Sequence, residues 1–149
     1  RIFSVAMNQW IGRKFKDRSE LDAARQKNWK FVQKTLEIIR YFSPPKWFIE
    51  NPYSSAMSKV PELQEIRSVR KDYCQYGTPY QKPTRIWSNL HLQPTLCKCV
   101  GRHASIIANG VSSVLTPNQV NVGKLTMKKR KATTHMIPVG LVRELFSSC

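Results

Sequence analysis

Hydrophobic and polar residues first settle into a helical period between Leu21 and Ile39. Leu21, Ala24, Asn28, Val32, Leu36 and Ile39 recur at steps of three and four, joined by Phe31 and Thr35. Arg25, Lys27, Lys30 and Lys34 fall on a charged face, so the pattern predicts an amphipathic helix over 19–41 with one core-facing stripe. Ser19, with an acid three residues on, reads as its N-cap, and Pro44-Pro45 ends it.

The period then shortens. Lys46-Trp47-Phe48-Ile49 is aromatic and β-favouring and runs into Glu50 and the rigid Asn51-Pro52 pair. This predicts a short strand that ends on a carboxylate. A long helix followed closely by such a strand is half of a βαβ unit, which implies a parallel sheet. A second helix is expected from Pro61 to Val69, with Leu63, Ile66 and Arg70 on one side. Residues 71–89 read as strand, turn and strand, best defined from Thr84 to Trp87. Residues 90–123 are weakly periodic and loop-rich. After Pro138, Leu141, Val142 and Leu145 fit the inner face of a short C-terminal helix. Residues 1–18 read as a loop or short helix. Without repeats or low-complexity segments, the expectation is a single α/β domain over 1–149.

Composition changes the picture mainly through charge. Lys and Arg number 25 against nine acids in 149 residues, a formal net charge of +16, while hydrophobic residues make up 41%. The apolar share excludes wholesale disorder, and no apolar run approaches the roughly 18 residues of a membrane span. So large a basic excess points to a polyanion, and DNA and RNA both satisfy it. The expected contacts are Arg13, Lys14, Lys16, Lys82 and a basic loop over 124–131 containing Lys124, Lys128, Lys129, Arg130 and Lys131. Such contacts anchor phosphates without reading sequence. Trp47 and Trp87 fall in predicted strands, which leaves Trp10 as the candidate for base stacking.

Cys74, Cys97, Cys99 and Cys149 lack the spacing of a secreted disulfide framework, and an intracellular setting is expected. The Arg- and Lys-rich opening and an initial Arg1 suggest a processed or partial chain, with the mitochondrion or nucleus as candidate destinations. Cys74, Cys97, Cys99 and His103 offer three thiolates and an imidazole, a set suited to tetrahedral zinc. Ordinary free cysteines are the alternative. His91 and His135 lack spaced partners and are expected at the surface.

Three separated segments resemble one family. WFIENP, at 47–52, resembles the Glu-Asn-Val or Glu-Asn-Pro motif of cytosine-C5 DNA methyltransferases, particularly the divergent phage and virus type. YCQYGTPYQKPTRIWSN, at 73–89, is similar to the family's later Tyr-Gly-x-Pro-Gln-x-Arg-x-Arg strand motif. HMIPVGLVREL, at 135–145, resembles the closing Ile-Pro-x-x-Leu helix, and FSVAM, at 3–7, the residues just after the Pro-Cys nucleophile loop.

The resemblance implies a partial Rossmann-like methyltransferase sheet with flanking helices, S-adenosylmethionine as cofactor, and catalytic roles for Glu50, Asn51 and Arg85. In that chemistry a thiolate adds to C6 of a flipped cytosine. A carboxylic acid bonded to N3 and the exocyclic amine makes the ring electron-poor, and an Arg at O2 stabilises developing charge. By resemblance Glu50 is the carboxyl group, Arg85 matches the second basic position and Lys82 the first. Pro52 confines Asn51 to extended geometry, which would hold the Glu50 carboxyl at a fixed angle.

The chain departs from the family in several places. Tyr80 stands where the family has Gln, and an extra residue separates Lys82 from Arg85. No Phe-x-Gly-x-Gly cofactor loop and no Pro-Cys nucleophile occur, and Lys46 follows Pro44-Pro45 where a nucleophile would be needed. Two readings follow. One is a degenerate or partial domain, non-catalytic as this chain, acting with other protein chains as a basic component of a ribonucleoprotein such as an organellar ribosome. The other is the C-terminal part of an active S-adenosylmethionine-dependent DNA (cytosine-5) methyltransferase.

Overall fold

A computed structural model of the chain describes residues 2–3, 5–78, 80–100, 103 and 136–147. The basic loop over 124–131, His135 and Cys149 lie outside the described residues.

Helix α1 spans Arg18–Phe42. Asp17 caps it, two residues before the expected Ser19. The Glu20 N–H donates to Asp17 Oδ1 at 3.0 Å, and Glu20 Oε2 reaches back to the Lys16 N–H at 2.5 Å. The two bonds resemble a reciprocal capping box. At the other end Ser43 turns left-handed, with φ of 43°, and its N–H donates to the Ile39 carbonyl before Pro44.

The buried stripe of α1 is Leu21, Arg25, Val32 and Leu36. Arg25, expected on the charged face, is 5% exposed, because it stands one turn after Leu21 on the same stripe. Its guanidinium is satisfied there by the Ile2 carbonyl at 3.3 Å, Asn8 Oδ1 at 3.3 Å and Asp22 Oδ1 at 2.8 Å. Phe31 and Thr35, expected to join the stripe, are exposed. Each sits one residue before a buried position and so about 100° round the helix.

The chain divides into two compact units, residues 1–69 with 84–93 and residues 70–83 with 94–149. Strands β1 (Phe48–Pro52), β2 (Ser68–Asp72) and β3 (Pro83–Ser88) form a sheet in the order β1-β3-β2. β1 runs antiparallel to β3, so the parallel pairing expected after α1 is replaced by an antiparallel one. The architecture is mixed α/β with a small three-stranded sheet.

The expected helix from Pro61 to Val69 is reduced to one turn, α2 (Pro61–Gln64). Ser68 and Val69 instead begin β2, where pairing along the sheet overrides local helical preference. In the first unit Val32, Leu36, Met57, Val60, Leu63 and Trp87 form the core, with Trp29, Trp47 and Ile49 packed against it. Trp87 Nε1–H donates to the Leu63 carbonyl at 3.1 Å, so the indole's one polar atom is paired.

The second unit holds the end of β2, a 3-10 turn at Tyr73–Tyr76, and helix α3 (Val139–Ser147). Leu141 and Leu145 are buried, as their spacing predicts, whereas Val142 lies 38% exposed, one step round the helix. Lys71 is buried and its ammonium donates to Thr95 Oγ1 at 2.9 Å and to Glu144 Oε1. Tyr76 donates its hydroxyl hydrogen to Glu144 Oε2 at 2.7 Å. Burial pushes the Glu144 carboxyl up, but Lys71 and Tyr76 outweigh it and hold the group below its ordinary value. Among the described residues no helix is long and apolar enough to cross a membrane.

Candidate functional site

Glu50 is not at a strand end. It is the third of five residues in β1, half-buried, and the strand continues through Asn51 to Pro52. The register pairs Glu50 with Ile86 and Asn51 with Arg85. Directly paired residues share a sheet face and successive residues alternate. Asn51 and Arg85 therefore lie together on the face that carries Ile49 and Trp87, while Glu50 lies with Ile86 on the other. The structure brings Arg85 to Asn51 but puts Glu50 on the opposite face from both.

Arg85 is held by aromatic and hydroxyl partners. Its guanidinium carbon stands 4.4 Å from the Tyr53 ring centre and 5.7 Å from that of Trp87. Nη1 donates to Ser68 Oγ at 3.2 Å, and Nε is buried without a hydrogen-bond partner. Tyr53 is a partner that motif reading did not anticipate, although its two-residue step from Asn51 fits the same face. Ile86, the partner of Glu50, lines a cleft of about 250 Å³ together with Arg67, Ser68, Ser88, His91 and Leu92. Arg67 Nη1 lies 3.0 Å from His91 Nδ1 at this cleft, and His91 is exposed, as expected.

Of the expected phosphate contacts, Arg13, Lys14 and Lys16 are all exposed around a turn anchored by the buried Phe15. Trp10 beside them is 42% exposed, which keeps it available for stacking. Lys82 is half-buried, its ammonium 4.4 Å from the Tyr73 ring centre. The Lys124 to Lys131 contacts lie outside the described residues.

Cys74, Cys97, Cys99 and His103 come together. Their ligand atoms all lie within 4.8 Å of one another, a group able to hold a metal ion. Cys97 Sγ stands 3.5 Å from His103 Nε2. Gln75 Nε2 donates to Cys99 Sγ at 3.4 Å and approaches Cys74 Sγ at 3.8 Å. Burial pushes the Cys74 thiol up to about 12, whereas the Cys99 backbone N–H holds Cys97 below its ordinary value.

Asp72 sets the frame for this cluster and went unnoticed in the sequence, where it is one acid beside a motif. The carboxylate is fully buried, gripped by Arg70 through Nε at 2.8 Å and Nη2 at 2.9 Å. It also accepts the Cys97 backbone N–H at 2.8 Å and lies 3.4 Å from Gln81 Nε2. Burial alone would raise its pKa, but Arg70 and Cys97 reverse the shift and leave it lowered. The Asp72 N–H donates to the Thr95 carbonyl, and the Thr95 N–H to that of Arg70, so residues 95–97 are laid along the end of β2.

The "Probable DNA (cytosine-5)-methyltransferase" of Frog virus 3 (isolate Goorha) is 26% identical over 160 aligned residues, which take in all of this chain and 71% of the viral protein. No protein-family model and no solved structure matches the chain. The chain is therefore similar, distantly and along its whole length, to a viral cytosine methyltransferase.

Proposed function

We propose that this chain is a nucleic-acid-binding, cytosine methyltransferase-like domain that supplies the base-recognising side of a DNA (cytosine-5) methyltransferase, with Glu50 addressing N3 and the exocyclic amine of a flipped cytosine. The whole-length similarity to the viral protein carries this reading. The register pairs Glu50 with Ile86, which borders a cleft of about 250 Å³ lined from β2 and β3, Glu50 itself not being among the lining residues. On this reading β1 to β3 are a remnant of a Rossmann-like sheet. Arg85 acts from the opposite face by holding Tyr53 and β1 in place, with Asn51 as its register partner. The exposed Arg13, Lys14 and Lys16 anchor phosphates.

The described residues do not fit S-adenosylmethionine. Gly12 and Gly77 are isolated turn glycines with open space where a Cβ would stand, and Gly140 packs on Tyr76, so none forms a close backbone cradle. No Gly-rich loop stands elsewhere in the sequence. This observation favours a second reading, in which the domain binds nucleic acid without catalysis, as a basic component of an assembly such as a ribonucleoprotein.

Equilibrium binding to matched DNA and RNA duplexes and to DNA carrying one mismatched, easily flipped cytosine tests the proposal. Wild type should prefer the mismatched DNA, and Glu50→Ala should lose that preference while keeping its bulk affinity. Equal binding to matched and mismatched DNA, or a preference for RNA unchanged by Glu50→Ala, would overturn the base-recognition reading in favour of the second.

A further inference from the structure

We propose that Cys74, Cys97, Cys99 and His103 bind one zinc ion in a closed structural site that fastens Cys97, Cys99 and His103 onto the turn after β2. This site is independent of the methyltransferase reading.

The donor atoms suit the ion. Zinc takes thiolate sulfur at about 2.3 Å and imidazole nitrogen at about 2.0 Å, almost always in a tetrahedron. Such a tetrahedron has S···N edges of about 3.5 Å and S···S edges of about 3.8 Å. Cys97 Sγ and His103 Nε2 are already 3.5 Å apart, and all four donors lie within 4.8 Å of one another. Three soft thiolates with one imidazole select zinc over the oxygen-seeking cations. Four protein ligands leave no open position for water, which marks the site as structural rather than catalytic.

The surroundings are arranged for these ligands. Two come from one tight C-x-C step, a third from the 3-10 turn at Tyr73–Tyr76, and the fourth from four residues further on. Asp72 holds the Cys97 backbone at 2.8 Å, so the C-x-C step is fixed in place by a fully buried carboxylate. Gln75 directs its amide at two of the sulfurs, the kind of outer hydrogen bond that stabilises thiolate ligands. Cys74 and Cys97 lie 23 residues apart, so a shared ion would close a long stretch of chain, which includes β3.

Elemental analysis of the full chain, purified under reducing conditions without added metal, tests the site. One zinc per chain is expected. Cys97→Ser and His103→Gln should each lose it, Cys149→Ser should retain it, and Gln75→Ala should weaken affinity about ten-fold. Should the ligand variants fail to fold, thiol labelling of wild type decides: three of the four cysteines should react slowly until a chelator is added. Cobalt replacing the zinc should show the thiolate charge-transfer band of a tetrahedral site. Four freely reactive thiols without metal, a disulfide among Cys74, Cys97 and Cys99, or a different metal in the site would overturn the proposal.

Discussion

Asn51 and Arg85 face each other across the β1–β3 pair, and this register turns Glu50 away from Arg85. The carboxyl and guanidinium groups that the motifs suggest as partners over one base belong to opposite sides of the sheet. Arg85 spends its interactions on Tyr53, Trp87 and Ser68. Arg85→Ala should therefore cost stability, about 1–2 kcal/mol from the lost ring stacking and hydrogen bond. Its preference for a flippable cytosine should stay unchanged at permissive temperature. Denaturant melts alongside binding measurements separate the two effects.

Lys71 is buried against Glu144 and Thr95. Glu144→Gln leaves the ammonium with weakened compensation and should destabilise the protein by about 3 kcal/mol, the lower end for a broken buried pair because Glu144 is partly exposed. Lys71→Met combined with Glu144→Gln should recover much of that loss, since the uncompensated charge is gone. A double-mutant cycle in urea measures the coupling.

Stability should fall on acidification through the Glu144 and Asp72 carboxylates. Both are held below their ordinary values of 4.5 and 3.8 in the folded chain. A depressed carboxyl contributes its stability fully above the unfolded pKa and loses it as pH drops through the folded one. Denaturation midpoints should thus be flat from neutral pH to about pH 5 and decline below it. Glu144→Gln should make the decline shallower.

Arg13, Lys14 and Lys16 form an exposed cluster near Trp10. If each neutralises one phosphate, the triple alanine variant should reduce the slope of log affinity against log salt on duplex DNA by about 2–3. Trp10→Ala should weaken binding to single strands more than to duplexes, by about 1–3 kcal/mol if a base stacks there. Salt titrations on both forms read each outcome.

Much of this architecture was legible in the residues, and the failures have physical reasons. The 3.6-residue period located α1 to within a residue at each end, and the Leu141–Leu145 step located α3. Arg25 was misplaced because its charge suggested solvent, whereas its position on the stripe and its three oxygen partners decided its burial. The helix expected from Pro61 to Val69 lost its second half to sheet pairing, a tertiary effect invisible to local preference. Strand direction was equally hidden, because β1 meets its partner 36 positions later by register, Glu50 opposite Ile86. The Cys74, Cys97, Cys99 and His103 set was visible as chemistry, but only the placement of residues 95–97 by Asp72 explains how it assembles.

If Glu50 reads a cytosine, the identity of the flipped base governs affinity. The most direct test is competition between DNA duplexes that differ only in one extrahelical base, cytosine or thymine. Cytosine N3 can take the carboxyl proton, so the resulting carboxylate accepts from two cytosine N–H groups, whereas thymine sets its carbonyl against that carboxylate, acceptor to acceptor. Wild type should favour cytosine by about ten-fold or more, and Glu50→Ala should bring the two close to parity. Equal affinity of wild type for both bases would contradict the account.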